Sequence, residues 1–142
     1  MELPASSYVK NVNVEQWLDL ASENERARAR KGTQARVKWL GTTPEEGPWV
    51  YWVEQPKGAI VHPHKHFAPR IEYLVEGALE YFEGQDAIDW IRNPEGHHGA
   101  RHETGAMSYV PAGTLYGYYM LEDSKLLHVF FSNPVGHTEH LD

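Results

Sequence analysis

The fold of this chain is decided by the stretch Gly58-Ala-Ile-Val-His-Pro-His64-Lys-His66-Phe-Ala-Pro-Arg70. His64 and His66 stand two residues apart, and residues two apart on a β-strand project from the same face. The two imidazoles therefore point side by side into one space. A pair of imidazoles converging from one rigid strand provides half of a metal site.

The sequence around this stretch alternates between short β-rich runs and turns that contain Gly or Pro. A series of short strands separated by such turns is typical of a β-sandwich or β-barrel. We predict strands over residues 35–40, 49–54, 59–66, 71–75, 78–82, 87–91, 106–110, 115–121 and 126–132. The segment 93–105 is predicted to be an irregular loop at the rim of the barrel, whose His97, His98 and His102 are more simply explained as exposed side chains than as metal ligands.

The N-terminal segment has helix signals rather than the short β-rich runs of the rest of the chain. Asn13 and Gln16 resemble a helix N-terminal box, and Gly32 is a natural helix end, so we predict one short helix over about residues 14–30. The chain is then organised as an N-terminal arm and helix over 1–34, expected to contact a partner subunit, followed by a barrel over 35–142.

Composition excludes several classes of function. The chain has no cysteine, which rules out thiolate metal sites and fits a reducing cytoplasm. A formal net charge of −7 argues against nucleic acid as a partner. No apolar run approaches the roughly 20 residues that a membrane helix needs, and no signal peptide is recognised at the N-terminus. We therefore expect a cytoplasmic protein that does not bind membranes or nucleic acid.

Two segments resemble the conserved motifs of the cupin superfamily. Residues 58–77 are similar to the first motif, G-x5-H-x-H-x3-E-x6-G, and residues 105–120 are similar to the second, G-x5-P-x-G-x2-H-x3-N. The resemblance implies an all-β fold, a double-stranded β-helix (the jelly-roll cupin barrel), with its site inside the barrel and with homodimers formed through the N-terminal segment. More loosely, residues 37–58 look like those of small cupin dioxygenases that cleave diketones and hydroxyketones.

The chain departs from these motifs at the positions that carry the chemistry. In the family, two histidines and a glutamate of the first motif and a histidine of the second hold Fe, Mn, Zn or Ni. His64 and His66 match that pattern, whereas Arg70 stands at the glutamate position, Tyr116 at the histidine position and Met120 at the asparagine position. A guanidinium cannot ligate a cation and repels one at close range.

Other residues of the barrel offer replacements for the missing ligands. Glu72 shares a strand face with Arg70, so it is either a carboxylate ligand beside the two histidines or the ion-pair partner of Arg70. His128 is a candidate fourth ligand, although the sequence does not fix which face of the last strand it occupies. Tyr116 is expected to point inward as a weak ligand or a proton donor.

Three hypotheses follow, all with a small molecule as substrate or ligand. The first is a metal-dependent cupin enzyme, an oxygenase such as a dioxygenase, with a divalent metal (Fe, Mn, Zn or Ni) on His64, His66, Glu72 and His128 and with Arg70 anchoring the substrate. The second is a metal-free isomerase, epimerase or cyclase that uses a histidine as base and Tyr116 as acid. The third is a non-catalytic ligand-binding cupin. We favour the first of these from the sequence.

Overall fold

The computed structural model describes residues 11–13, 15–17, 36–41 and 48–132, together with the backbone of 138–140. Ten strands form two five-stranded antiparallel sheets, in the orders β1-β2-β9-β4-β7 and β10-β3-β8-β5-β6. The strands are β1 Arg36–Gly41, β2 Trp49–Gln55, β3 Ile60–His66, β4 Arg70–Glu76, β5 Ala78–Glu83, β6 Ala100–Glu103, β7 Met107–Val110, β8 Leu115–Met120, β9 Ser124–Phe130 and β10 Thr138–His140. This is the all-β jelly roll expected from the sequence.

The core lies between the two sheets because each strand turns alternate residues inward. Val53, Leu74 and Leu126 from the first sheet meet Leu79, Tyr118 and Met120 from the second in one buried cluster. These residues come from the ends of β2, β4, β5, β8 and β9 that meet on one side of the barrel. The opposite halves of β3, β4, β8 and β9 carry the polar residues of the candidate site.

One predicted strand, 87–91, is wrong. Residues Gln85–Arg92 form a helix, α1, which follows Gly84 with its φ of +64°. Ala87, Trp90 and Ile91 are spaced i, i+3 and i+4, the spacing of one helical face, and pack against the outside of the second sheet. The Trp90 ring stacks on Phe82 with centroids 4.3 Å apart. An apolar run this short is ambiguous between strand and helix.

Two further strands were not predicted. Within the predicted loop 93–105, the structure has a short 3₁₀ turn, Pro94–Gly96, and then β6, which pairs with β5. β10 pairs with β3 opposite His64 and His66. Both strands have only three or four residues, which are too few to show a clear alternation of apolar and polar residues.

Most of the N-terminal segment lies outside the described residues. The predicted helix over 14–30 falls there except for 15–17, which are not helical. Lys38 of β1 donates a hydrogen bond to the carbonyl of Val12 at 2.6 Å, and the Trp17 ring lies 3.9 Å from the Arg36 guanidinium carbon and 4.4 Å from the Lys38 ammonium nitrogen. This part of the arm packs on its own barrel, and pairing of two chains through 1–34 stays a prediction.

The glycine that ends the first motif is fixed by sterics as well as by backbone conformation. Gly77 has φ +112°, and a Cβ added there would lie 2.7 Å from the Asp123 carbonyl oxygen. We expect Gly77→Ala to lower the free energy of unfolding by about 2–5 kcal/mol, the sum of left-handed strain and overpacking. Gly58→Ala is the control, because Gly58 has φ +87° but open space around it. Equal losses in urea denaturation of both variants would contradict the steric explanation.

Candidate functional site

Inward-facing polar and aromatic side chains from four strands converge at one end of the barrel. The strand registers place Glu72 opposite His128, Arg70 opposite Phe130, and His64 opposite Tyr116. All of these positions are at least nine-tenths buried. Because successive strand residues alternate between faces, the alternation in β4 and β9 puts the charged and imidazole groups inside the barrel. His128 therefore points inward, which the sequence did not fix.

Arg70 and Glu72 form a buried ion pair within this cluster. The Arg70 Nε atom donates a hydrogen bond to Glu72 Oε1 at 2.9 Å, and the Arg70 side chain has no solvent-exposed surface. Burial raises the pKa of Glu72, but the Arg70 charge and the hydrogen bond from Arg70 outweigh burial, so the pKa lies below its ordinary value. Both partners are therefore ionised at neutral pH. Of the two interpretations of Glu72, the structure shows the ion pair.

The rest of the guanidinium contacts aromatic rings. Its central carbon lies 4.1 Å from the Tyr116 ring centroid and 5.7 Å from the Phe130 centroid. Nη1 and Nη2 are buried and have no hydrogen-bond partner among the described residues. Cation–π attraction to the two rings offsets part of the lost hydration of the charge.

His64 and His66 contact each other through their ring nitrogens. The two Nε2 atoms are 3.0 Å apart, and His64 Nδ1 lies 2.7 Å from the His62 carbonyl oxygen. A carbonyl oxygen only accepts, so His64 Nδ1 carries the hydrogen, and a neutral His64 has its lone pair on Nε2. His66 then donates its Nε2–H to His64. The register of β3 against β8 shifts between Val61 and His64, the segment that contains His62.

His128 lies beside the ion pair without joining it. Its Nε2 atom is 3.6 Å from Glu72 Oε1, too far for a hydrogen bond, and has no hydrogen-bond partner among the described residues. Burial lowers the pKa of His128, and the Arg70 charge adds to this, while the Glu72 carboxylate opposes it. His128 is therefore neutral at pH 7.

Aromatic rings form the walls of the site. The Tyr116 ring lies 4.4 Å from the His64 ring and stacks on Tyr81, with those centroids 5.9 Å apart. The Phe130 ring lies 5.3 Å from the His66 ring. Burial raises the pKa of Tyr116 well above its ordinary value, so the phenol stays protonated. The sequence analysis missed Phe130 and Tyr81, although Phe130 follows His128 by two residues and so shares its face.

The histidines of the 93–105 segment do not join the cluster. His97 contacts the Asn93 carbonyl at 2.9 Å, and His98 is exposed. His102 stacks on Tyr81 with centroids 5.2 Å apart. His98 is exposed as predicted, whereas His97 and His102 are only partly exposed.

The family resemblance implies a divalent metal, and the described donors fit one only in part. The 3.0 Å between the His64 and His66 Nε2 atoms suits two neighbouring ligands at bond lengths of about 2.0–2.1 Å. The carboxylate that would complete the set, Glu72, is held by Arg70 instead. Among the described residues, no group of three or more His, Asp or Glu side chains is arranged to hold a metal ion. The arrangement with Arg70 in place therefore does not fit a bound metal.

Two antiparallel sheets that close around an inward His-x-His pair define a cupin barrel. The chain belongs to the ChrR cupin-like domain family, whose model matches residues 9–116. No curated protein matches the chain. No helix among the described residues is long and apolar enough to cross a membrane.

Solved structures share the fold at low sequence identity. KdgF from Halomonas sp. is 23% identical with a TM-score of 0.63, covering 90% of this chain and 96% of KdgF. The polyketide cyclase RemF from Streptomyces resistomycificus is 14% identical with a TM-score of 0.68, covering 96% and 87%. An acetylacetone dioxygenase from Acinetobacter johnsonii is 19% identical with a TM-score of 0.65, covering 100% and 82%. At these identities the likeness shows the fold alone.

The lowered pKa of His128 makes the stability of the barrel sensitive to mild acid. Below the unfolded value of about 6.5, the unfolded chain binds a proton that folded His128 does not, so stability falls as the pH drops through this range. We expect His128→Gln to reduce the loss of unfolding free energy between pH 7 and pH 5, measured by urea denaturation. Glu72 affects stability in a separate pH range. Because its pKa is lowered in the folded protein, the stability that its ionised form contributes is lost only below about pH 4.3.

The control for this measurement is His98→Gln, because His98 is exposed. The control should keep the wild-type pH dependence. A pH dependence that is unchanged in His128→Gln would show that other groups cause it.

Proposed function

We propose that this protein is an enzyme that catalyses metal-independent proton transfer on a small, enolisable carbonyl compound, as an isomerase or cyclase does. The observation that carries the proposal is the Arg70–Glu72 ion pair, which lies beside an imidazole pair and a protonated phenol inside the barrel. These groups are a base, a hydrogen-bond donor and a fixed positive charge, which together suffice for enolisation.

Each group has a separate role in the proposed reaction. The His64–His66 pair takes a proton from the carbon next to a carbonyl; the C–H electron pair forms the C=C bond of an enolate, and the C=O π pair moves onto the oxygen. Tyr116 donates a hydrogen bond to that oxygen. The Arg70 charge, which lies behind the Tyr116 ring, stabilises the developing negative charge. Return of the proton to a different atom completes an isomerisation. Attack of the enolate carbon on a second carbonyl gives an alkoxide, and return of the proton to that alkoxide completes a cyclisation.

The substrate class follows from the walls of the site and from the structural neighbours. The aromatic rings of Tyr81, Tyr116 and Phe130 suit a planar, conjugated molecule. Two of the structural neighbours are a polyketide cyclase and an acetylacetone dioxygenase, and both acetylacetone and polyketide chains contain 1,3-dicarbonyl units. Such units carry an acidic C–H bond between their carbonyls, which is the bond that the proposed base attacks.

A metal-dependent dioxygenase is the second candidate function, and the spacing of the His64 and His66 Nε2 atoms favours it. In this alternative, Fe, Mn, Zn or Ni would be held by His64, His66, Glu72 and His128, and Glu72 would first have to leave Arg70. The metal would supply Lewis-acid or redox chemistry to the substrate. A non-catalytic, ligand-binding role is the third possibility, and turnover by the barrel residues would exclude it.

Deuterium exchange tests the proposed function directly. Metal-depleted protein should accelerate the exchange of the C–H proton of a 2-alkyl-1,3-diketone with D2O, followed by NMR against enzyme-free buffer. Tyr116→Phe should slow the exchange by about 10²–10⁴-fold, the usual contribution of one acid–base group. Tyr109→Phe is the control, because Tyr109 is exposed on the outside of β7. Exchange that survives Tyr116→Phe unchanged would refute the assigned role.

Metal content and oxygen uptake separate the two candidate enzymes. We expect untagged protein to contain far less than one equivalent of Fe, Mn, Zn or Ni per chain, and exchange to persist in a chelator. About one equivalent of metal that is lost in the His64→Ala/His66→Ala variant, together with substrate-dependent oxygen uptake, would instead favour the dioxygenase.

A further inference from the structure

The Arg70 guanidinium contacts both the carboxylate and the phenol ring of the candidate site. It holds Glu72 through Nε at 2.9 Å and lies 4.1 Å from the centroid of the Tyr116 ring. That ring is in turn 4.4 Å from the ring of His64. The Tyr116 ring therefore lies between the Arg70 guanidinium and the His64 ring in one buried cluster.

Glu72 is the carboxylate of this cluster, and its charge is already balanced. Its Oε1 atom lies 2.9 Å from Arg70 Nε and 3.6 Å from His128 Nε2, so an imidazole and a guanidinium approach the same oxygen. A divalent ion on Glu72 would have to displace the guanidinium or remain within a few ångströms of its charge. At that distance and with partial burial, the repulsion is enough to reduce affinity on the order of a hundredfold or more.

We propose that Arg70 is the resident cation of this barrel, a positive charge supplied by the chain that occupies the Glu72 carboxylate and keeps divalent metal out of the site. Removal of that charge would leave the His64 and His66 Nε2 atoms, already 3.0 Å apart, and a released Glu72 as a set of two imidazoles and one carboxylate. That set is the one that Fe(II), Co(II) and related ions accept with open positions. The inference rests on the proposed function in one respect, namely that the working site contains no metal.

The test is a titration with Co²⁺, whose visible absorption reports coordination by protein ligands. Wild-type protein should show no coordination band at one equivalent. Arg70→Gln should bind about one Co²⁺ per chain, with an affinity at least about a hundredfold higher than wild type. Arg70→Gln/Glu72→Gln should lose that gain, because the carboxylate ligand is gone.

Two further variants serve as matched controls. Arg70→Lys retains the positive charge and should show no gain in Co²⁺ binding. Arg101 and Glu103 form the same i, i+2 pair, with Nε 2.8 Å from Oε1, on the exposed surface of β6. Arg101→Gln should therefore titrate like wild type, which separates an effect of the buried charge from a general effect of losing an arginine.

Two results would overturn the inference. One is wild-type protein that binds Co²⁺ as tightly as Arg70→Gln, since the guanidinium would then not exclude the metal. The other is folded Arg70→Gln that binds no Co²⁺. Because a buried carboxylate without its partner destabilises a fold, Arg70→His provides a second variant that removes the permanent charge and keeps a polar ring. It should also gain Co²⁺, and its failure to do so while folded would count equally against the inference.

The result is distinguishable from failure of the proposed function. Co²⁺ affinity is measured without any substrate, so an absence of deuterium exchange leaves the metal titration interpretable. Conversely, a gain of metal in Arg70→Gln, with no gain in Arg70→Lys, supports the resident cation even if the protein proves to be a ligand-binding cupin.

Discussion

The Arg70–Glu72 ion pair is the interaction on which the candidate site depends. It lies on one strand, with Nε 2.9 Å from Oε1, and both side chains face the interior of the barrel. An isolated charge in that position would be strongly unfavourable, and the attraction between the two charges offsets the cost of burying each of them. With Glu72 held by Arg70, the two histidines of β3 contact each other and the His62 carbonyl, and His128 remains neutral beside the pair.

The apolar core and the charged groups of the site are concentrated in different halves of the barrel, which meet at Tyr116. Leu74, Leu79, Met120 and Leu126 form the apolar half, in which burial of carbon surface supplies the driving force. A buried ion pair is weak support for stability, because desolvation offsets most of its attraction. The presence of Arg70 and Glu72 in the other half is therefore better explained by what they do to a ligand than by what they add to the fold.

The sequence predicted the sheet structure well because its signals are local. Two-residue alternation placed His64, His66 and Glu72 on inward faces, and the glycines at 58, 77, 105 and 113 all adopt positive φ, as turn glycines do. The segment 87–91 was misread because four apolar residues in five fit either a strand or one face of a helix, and only packing of Trp90 on Phe82 decides between them. β6 and β10 are too short to carry any periodic signal.

The sequence could not decide the partner of Glu72, and that choice determines the chemistry. Residues 64, 66, 70, 72 and 128 were all recognised as candidates, yet the same residues describe a metal site or a metal-free one. The difference is whether one carboxylate oxygen faces a guanidinium or an ion, a matter of side-chain placement that no spacing rule records. Once Arg70 is found on Glu72, the consequence is one of charge: the carboxylate is balanced by a guanidinium on its own strand, and a divalent ion would have to displace that guanidinium or approach it against repulsion.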